Sequence, residues 1–234
     1  MNPRLTGVGV GPGDPELLTV KAVRLLQRVA WVFYPVAAPG AESMALRIAQ
    51  GYLDPARQEL VPLIYPFGRG PAEEEAAWAA NGRAIALRLG RDGHGAFLTE
   101  GDALLYSTFL YTAEGFRRAA PEAEIGVIPG IPSFVAAAAV TRVSLGRRSD
   151  RVAIVTGGTG VEDALASHEG VVILKASRDW EGTLAALRRC GRSGEAVAVT
   201  RCGWPEERIE WDVEALSGRR LDYFTLLLVG RWHL

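Results

Sequence analysis

Four glycines alternate through the first apolar stretch of the chain, Gly7, Gly9, Gly11 and Gly13, and run through Pro12, Asp14 and Pro15 into a helix. Glycine at that density lets backbone come very close to something, either a ligand or a neighbouring element. Two phosphate chemistries use such a turn, and both fail here on detail. A dinucleotide fingerprint needs glycine at position 12 or 14, where Pro12 and Asp14 stand, and an acid about 20 residues further on, where Trp31 to Val36 offers none. A Walker loop needs Gly-Lys-Ser/Thr, which does not follow. A close-approach turn remains, with a tight turn that binds nothing as its plain alternative.

Three further stretches lie just past apolar strands, where ligands collect in open α/β sheets. Glu100 to Phe109 follows Ala96 to Thr99; Pro129 to Phe134, with four alanines after it, follows Ile125 to Ile128; Lys175 to Arg178 follows Val171 to Leu174. Each has a structural alternative. Gly101 and Asp102 can cap the next helix, Pro129 and Gly130 can form a type II turn, and the alanines can serve close helix packing. Their joint occurrence with the alternating glycines argues for a site.

These segments must be positioned by alternating strands and helices. The patterning predicts strands at 4–10, 31–34, 59–63, 95–99 and 125–128, and helices at 15–28, 41–53, 72–90, 105–120 and 133–140. Glu73, Glu74 and Glu75 suit the positive end of the 72–90 helix dipole. Residues 141–150 are polar and aperiodic, and read as a linker. Beyond them come strands at 151–156, 171–174 and 196–200, a helix at 179–190, and a β-rich ending over 208–213 and 223–230 whose short connections imply antiparallel pairing. The expectation is two α/β domains, 1–140 and 151–234, with a ligand cleft between them.

Composition narrows the function classes. The 234 residues are 48% hydrophobic and 23% charged with net charge −1, ordinary for a water-soluble protein. The near-neutral balance argues against nucleic acid as partner. No apolar run reaches membrane-spanning length and no signal pattern opens the chain, so a cytoplasmic protein without a membrane partner is expected. Cys190 and Cys202, without CxxC spacing, read as buried reduced thiols; His94, His168 and His233 read as scattered surface positions, leaving no metal site.

The combination resembles the tetrapyrrole (corrin/porphyrin) methylase family, and within it the precorrin-2 C(20)-methyltransferase branch. The resemblance spans essentially the whole chain. It rests on Gly9 to Ala22, Phe97 to Phe109, Val127 to Phe134 and Tyr223 to Gly230, with the Leu-Tyr-Ser-Thr-Phe run at 105–109 and Gly203 to Ile209 similar to the C(20) branch in particular. Ala103, Glu100 and Pro132 depart from the usual residues at their positions.

The resemblance implies that S-adenosylmethionine binds folded in the cleft. Pro12 and its glycines would form the floor, with Gly11 and Gly13 facing substrate. Asp102 would accept hydrogen bonds from the donor, with Gly101 and Leu105 presenting backbone. Pro132 and Ser133 match the turn at the methionine portion, Lys175 and Ala176 flank the adenine, and Gly203 and Thr225 supply groups from the second domain. Tyr106, Ser107 and Thr108 are candidates for touching tetrapyrrole, and Arg178 and Arg201 for its carboxylates. Catalysis would come chiefly from placing methyl and ring carbon in line. Asp102, Glu100 or Tyr106 would be the candidate proton-handling groups. The implied activity is C-methylation of precorrin-2, or its cobalt-bearing counterpart, by a homodimer. The alternatives are a sister methylase at another carbon, the branch that methylates ribosomal RNA, and a non-catalytic adenosylmethionine-binding protein.

Overall fold

In the computed structural model, which describes residues 2–66 and 68–233, the glycine-bearing segment is a strand near the middle of a parallel sheet. β1 (Arg4–Gly9) runs parallel to both β4 (His94–Thr99) and β5 (Glu124–Ile128). Beyond β4 lie β2 (Trp31–Val36) and β3 (Glu59–Ile64), giving the order β3-β2-β4-β1-β5. The loops that follow β4, β1 and β5 therefore leave the sheet side by side at its carboxyl end. Pro35 sits in β2 beyond the last residue paired to β4, Phe33, so no ladder bond to β4 is asked of a residue without an N–H.

The helices of this unit are α1 (Val20–Leu26), α2 (Met44–Ala49), α3 (Pro71–Leu89) and α4 (Phe109–Ala119). Three are shorter than their apolar patterns predict, each because a hydroxyl-bearing or left-handed residue interrupts. The 15–28 stretch breaks into a single 3-10 turn, Pro15–Leu17, and α1, because Thr19 takes an extended conformation and caps the Ala22 N–H. The 41–53 stretch likewise begins only after the Ser43 cap and ends in a 3-10 turn. The 105–120 stretch becomes helical at Phe109, since Tyr106 has φ +52°.

α4 leads straight out of the β4 loop, and its seat is fixed by its neighbours. It crosses α3 where Gly82 and Gly115 face one another; a Cβ on Gly82 would stand 2.1 Å from the Gly115 carbonyl carbon. Trp78 stacks on Tyr111 with ring centroids 4.1 Å apart. Buried Tyr65 bonds the Thr112 hydroxyl, and burial pushes its phenol well above the ordinary range, so it stays a neutral partner. Leu5, Phe33, Ile85, Phe97, Phe109 and Phe116 fill the core beneath.

A second compact unit begins at Ser133, not after a linker at 150. α5 (Ser133–Thr141) packs on β11 (Thr225–Val229), which places the alanine-rich helix with the second unit. The stretch read as a linker holds β6 (Val143–Ser144), paired with β12 (Trp232–His233). The main sheet is mixed, in the order β10-β9-β11-β8-β7. β7 (Val152–Thr156) and β8 (Gly170–Leu174) are parallel around α6 (Val161–Ser167), and β9 (Ala196–Thr200), after α7 (Trp180–Arg189), pairs antiparallel with β11 and β10 (Arg208–Glu210). Trp180, Leu184, Ile173 and Leu227 centre its core.

Candidate active site

At the carboxyl end of the first sheet the β1 and β4 loops are tied to one another by backbone. Val10 N–H donates to the Thr99 carbonyl at 2.9 Å, and Gly11 and Gly101 exchange bonds of 3.3 and 2.8 Å as an isolated antiparallel bridge. Asp102 extends the tie to the third loop. One carboxylate oxygen accepts the Gly130 N–H at 3.0 Å, and the other accepts the Leu104 N–H at 2.8 Å. Its carboxylate thus links the β4 loop to the β5 loop, an arrangement worth more than a neutral bond because the acceptor is charged.

The alternating glycines are needed for this closure. A Cβ on Gly9 would lie 2.5 Å from the Gly130 nitrogen and 2.6 Å from the Gly101 oxygen; a Cβ on Gly130 would lie 2.1 Å from that same oxygen. Gly7 admits the Phe109 ring, whose atoms would stand 2.5 Å from a Cβ there. Gly11 has φ +84°, a conformation open to glycine. The close approach inferred from sequence is real, but at Gly7 and Gly9 what approaches is the protein's own ring and backbone. Gly11, expected to face substrate, has both backbone polar groups committed to Gly101; Gly13 and Pro12 are buried in the same turn.

Beyond Asp102 the loop divides into an inward and an outward half. Ser107, expected against substrate, is only 6% exposed, and its hydroxyl bonds Thr99 at 2.8 Å and accepts the Phe109 N–H at 3.0 Å. It is turned inward because its hydroxyl takes up the N–H of Phe109, the first residue of α4, and meets Thr99. The carbonyl of half-buried Thr108 accepts the Thr112 hydroxyl at 2.9 Å. Tyr106 is 53% exposed and held in the left-handed region, as few non-glycine residues are. Strain of this kind gathers where surroundings over-determine a loop for function. Gly101, Leu105 and Glu100 are half-buried, and Pro132 closes the unit likewise half-buried.

The second unit carries the remaining residues named from sequence. Ser133 opens α5. Lys175 follows β8 with φ +52° and holds its ammonium 5.9 Å from the centre of the Tyr223 ring. Ala176 is fully buried in the core, and its backbone meets the Gly157 turn, where a Cβ would lie 2.7 Å from the Lys175 oxygen. Arg178 is exposed. Arg201, at φ +52° after β9, is not a spare cation for a substrate carboxylate: its Nε donates to Asp222 at 2.8 Å and its guanidinium lies over the Phe224 ring. Asp222 sits below the ordinary carboxylate range; its burial works the other way and is outweighed by the Phe224 N–H and Arg201. Thr225 is buried with its hydroxyl 2.9 Å from that of Thr200, and the Gly203 N–H donates to Glu207 at 2.7 Å. Burial and Glu207 push the Cys202 thiol up to about 12.

Thr99, Gly130, Asp222 and Glu207 are the partners that sequence reading passed over. Thr99 ends β4 and Gly130 lies two residues past β5, so both were open to inference from position; Asp222 and Glu207 pair across turns that no spacing rule specifies. Cys202 is buried as expected, whereas Cys190 is half-exposed; both are free thiols. Among the described residues no three His, Cys, Asp or Glu side chains gather as metal ligands, and no helix is long and apolar enough to cross a membrane.

Residues 4–216 match the family described as Tetrapyrrole (Corrin/Porphyrin) Methylases. The chain is 28% identical over 235 residues to the cobalt-precorrin-2 C(20)-methyltransferase of Salmonella typhimurium, covering 99% of this chain and 98% of that one. It is 31% identical over 240 residues to the precorrin-2 C(20)-methyltransferase of a Sinorhizobium species, covering 98% and 96%. Its fold is similar to that of the uroporphyrin-III C-methyltransferase of Thermus thermophilus solved with S-adenyl homocysteine, at TM-score 0.69 and 22% identity over 97% of each chain.

Proposed function

The chain belongs to the tetrapyrrole (corrin/porphyrin) methylases, and from that premise we propose that it transfers a methyl group from S-adenosylmethionine to C-20 of precorrin-2, or of its cobalt-bearing form. The product would be precorrin-3A or its cobalt counterpart, in cobalamin biosynthesis. The end-to-end likeness to two C(20)-methyltransferases, one acting on each form of the substrate, carries this reading. It leaves the presence of cobalt open, since the two relatives differ on it.

On this reading Asp102 would accept from the cationic or hydroxyl portion of the donor, with Gly101 and Leu105 presenting backbone beside it. The Ser133 hydroxyl and the first-turn N–H groups of α5, which have no acceptor within the helix, suit a carboxylate. Bound donor would supply an electrophilic methyl group. The Cys202 thiol, protonated with its value near 12, is no competing nucleophile for it. Asp102 fixes the relative height of the β4 and β5 loops, and catalysis then rests on orientation more than on acid–base chemistry. Tyr106 presents its ring outward to a flat substrate from a backbone position that leaves it little freedom.

The test is turnover by the purified protein with donor and either precorrin-2 or cobalt-precorrin-2. A gain of one methyl, mapped to C-20 by carbon NMR, is expected with one of them; no gain with either overturns the reading. We further propose a cytoplasmic homodimer, which light scattering on the purified protein checks.

A further inference from the structure

In the first unit, four basic side chains gather around one cavity on the faces of β1, β5 and α1. An open cavity of about 620 Å³ is flanked by Arg4 at the start of β1 and by Lys21, Arg24 and Arg28 on the α1 side. Among the described residues none of these four has a carboxylate within ion-pair distance, although nine Lys/Arg–carboxylate pairs occur elsewhere among them. Glu124 is in register with Arg4 on β5 but forms no ion pair with it. The helix dipole accounts for cations near the end of α1. It does not account for Arg4, which comes from the sheet.

The cavity has an ordered wall. Arg4 lies across Gly126 of β5, where a Cβ would stand 3.3 Å from its terminal nitrogen and 2.8 Å from the Thr6 hydroxyl, so glycine there leaves room for both side chains. The Thr6 hydroxyl in turn bonds the His94 ring at 2.9 Å. Burial, and then the charge of Arg4, lower the His94 pKa against an opposing pull from Glu124, which leaves a neutral ring as hydrogen-bond partner. The rest of the lining is apolar, with Val127 and Ile128 from β5 and Val20, itself 65% exposed, from α1.

Four unpartnered cations around an apolar floor, in a cavity of the size that holds small molecules, describe a receptor for an anion with a hydrophobic body. We propose that this cavity is a second ligand site, separate from the methyl-transfer loops, that takes an organic polyanion bearing two or more carboxylate or phosphate groups on an apolar framework. Guanidinium groups match either anion in geometry. The apolar floor selects against a bare inorganic ion. The inference stands whether or not the chain methylates precorrin-2.

The experiment uses uroporphyrin, a stable octacarboxylate, as a fluorescent probe on the full-length protein, and compares wild type with Arg24→Gln/Arg28→Gln. Both positions are exposed on or just after α1, and glutamine keeps the helix propensity. In wild type a class of sites saturating at one porphyrin per chain, weakened as salt is raised, is expected in addition to any binding that S-adenosylhomocysteine or a Tyr106→Ala substitution alters. In the double variant that class weakens about tenfold, two exposed charge contacts each being worth about a factor of three. Melting temperature and methyl transfer are unchanged. Inorganic tripolyphosphate and tricarballylate are then used as competitors: whichever displaces porphyrin at lower concentration assigns the site to phosphate or to carboxylate. Equal binding by wild type and double variant, or loss of all porphyrin binding through Tyr106→Ala alone, overturns the second site. Absent methyl transfer with this binding intact would instead count against the proposed activity only.

Discussion

Replacing Asp102 by alanine removes two acceptors at once, and the structure says where the loss is felt. The Leu104 N–H is exposed, so water takes over that bond at little cost. The Gly130 N–H is part-buried and packed close to Gly9 and Gly101, so water replaces its acceptor less readily there. A hydrogen bond to a charged acceptor is worth about 1.5–3 kcal/mol, and partial exposure puts this one at the lower end, about 1.5–2 kcal/mol. Amide hydrogen exchange reads that number locally: Gly130 should exchange about 10–30 times faster in Asp102→Ala, while core amides of β1 are unchanged. Asp102→Asn keeps one acceptor and can turn it toward Gly130, so its Gly130 protection should stay within about threefold of wild type. If the loops must be preset for the donor, S-adenosylhomocysteine affinity by calorimetry falls in parallel, most for alanine and least for asparagine. Unchanged Gly130 exchange in Asp102→Ala, with affinity lost all the same, would refute the tie and make Asp102 a direct ligand group.

Gly130→Ala places a Cβ 2.1 Å from backbone oxygen that cannot rotate away, and should cost more than about 3 kcal/mol, read by denaturant titration. Tyr106→Gly removes left-handed strain and should raise stability by about 0.5–1 kcal/mol while raising KM for the tetrapyrrole, a trade that a lone structural residue would not make. Asp222 has a depressed carboxyl value, so the stability it contributes is complete above the ordinary carboxylate value and is lost as pH falls through its folded-state value; Arg201→Leu should flatten that acid limb in melts taken from neutral to strongly acidic pH. Iodoacetamide at pH 8 should label Cys190 well before Cys202, whose thiol near 12 carries almost no thiolate until the chain unfolds; equal rates would contradict its burial.

The parallel first sheet was legible because its strands are short apolar runs bounded by glycine, and the four loop segments were legible because each follows such a run. The helix starts were not. At Thr19, Ser43 and Tyr106 the apolar pattern continues across residues whose own hydroxyl or backbone interrupts the helix, and period alone cannot see a cap. The division of the chain was legible only to within a helix: residues 141–150 look like a linker because their strand is two residues long and its partner is at the far end of the sequence. Arg201 looked available to substrate for the same reason, since its partner Asp222 lies 21 residues away across a turn.

The alternating glycines illustrate how one observation can be right in kind and misassigned in object. Glycine at 7, 9 and 11 does mean close approach, and a ligand was the natural partner to suppose. Gly7 instead receives Phe109, the first residue of α4, and Gly9 receives Gly130, so the strand that carries the glycines is clamped to the loops on either side of it. A ligand site at the carboxyl end of β4, β1 and β5 needs those three loops at fixed heights. Side chains at 7 and 9 would force them apart before any ligand arrived. The glycines therefore close the protein on itself, and under the proposed function the outward contact would fall to the strained, exposed Tyr106, the residue at which substitution should separate loss of binding from loss of fold.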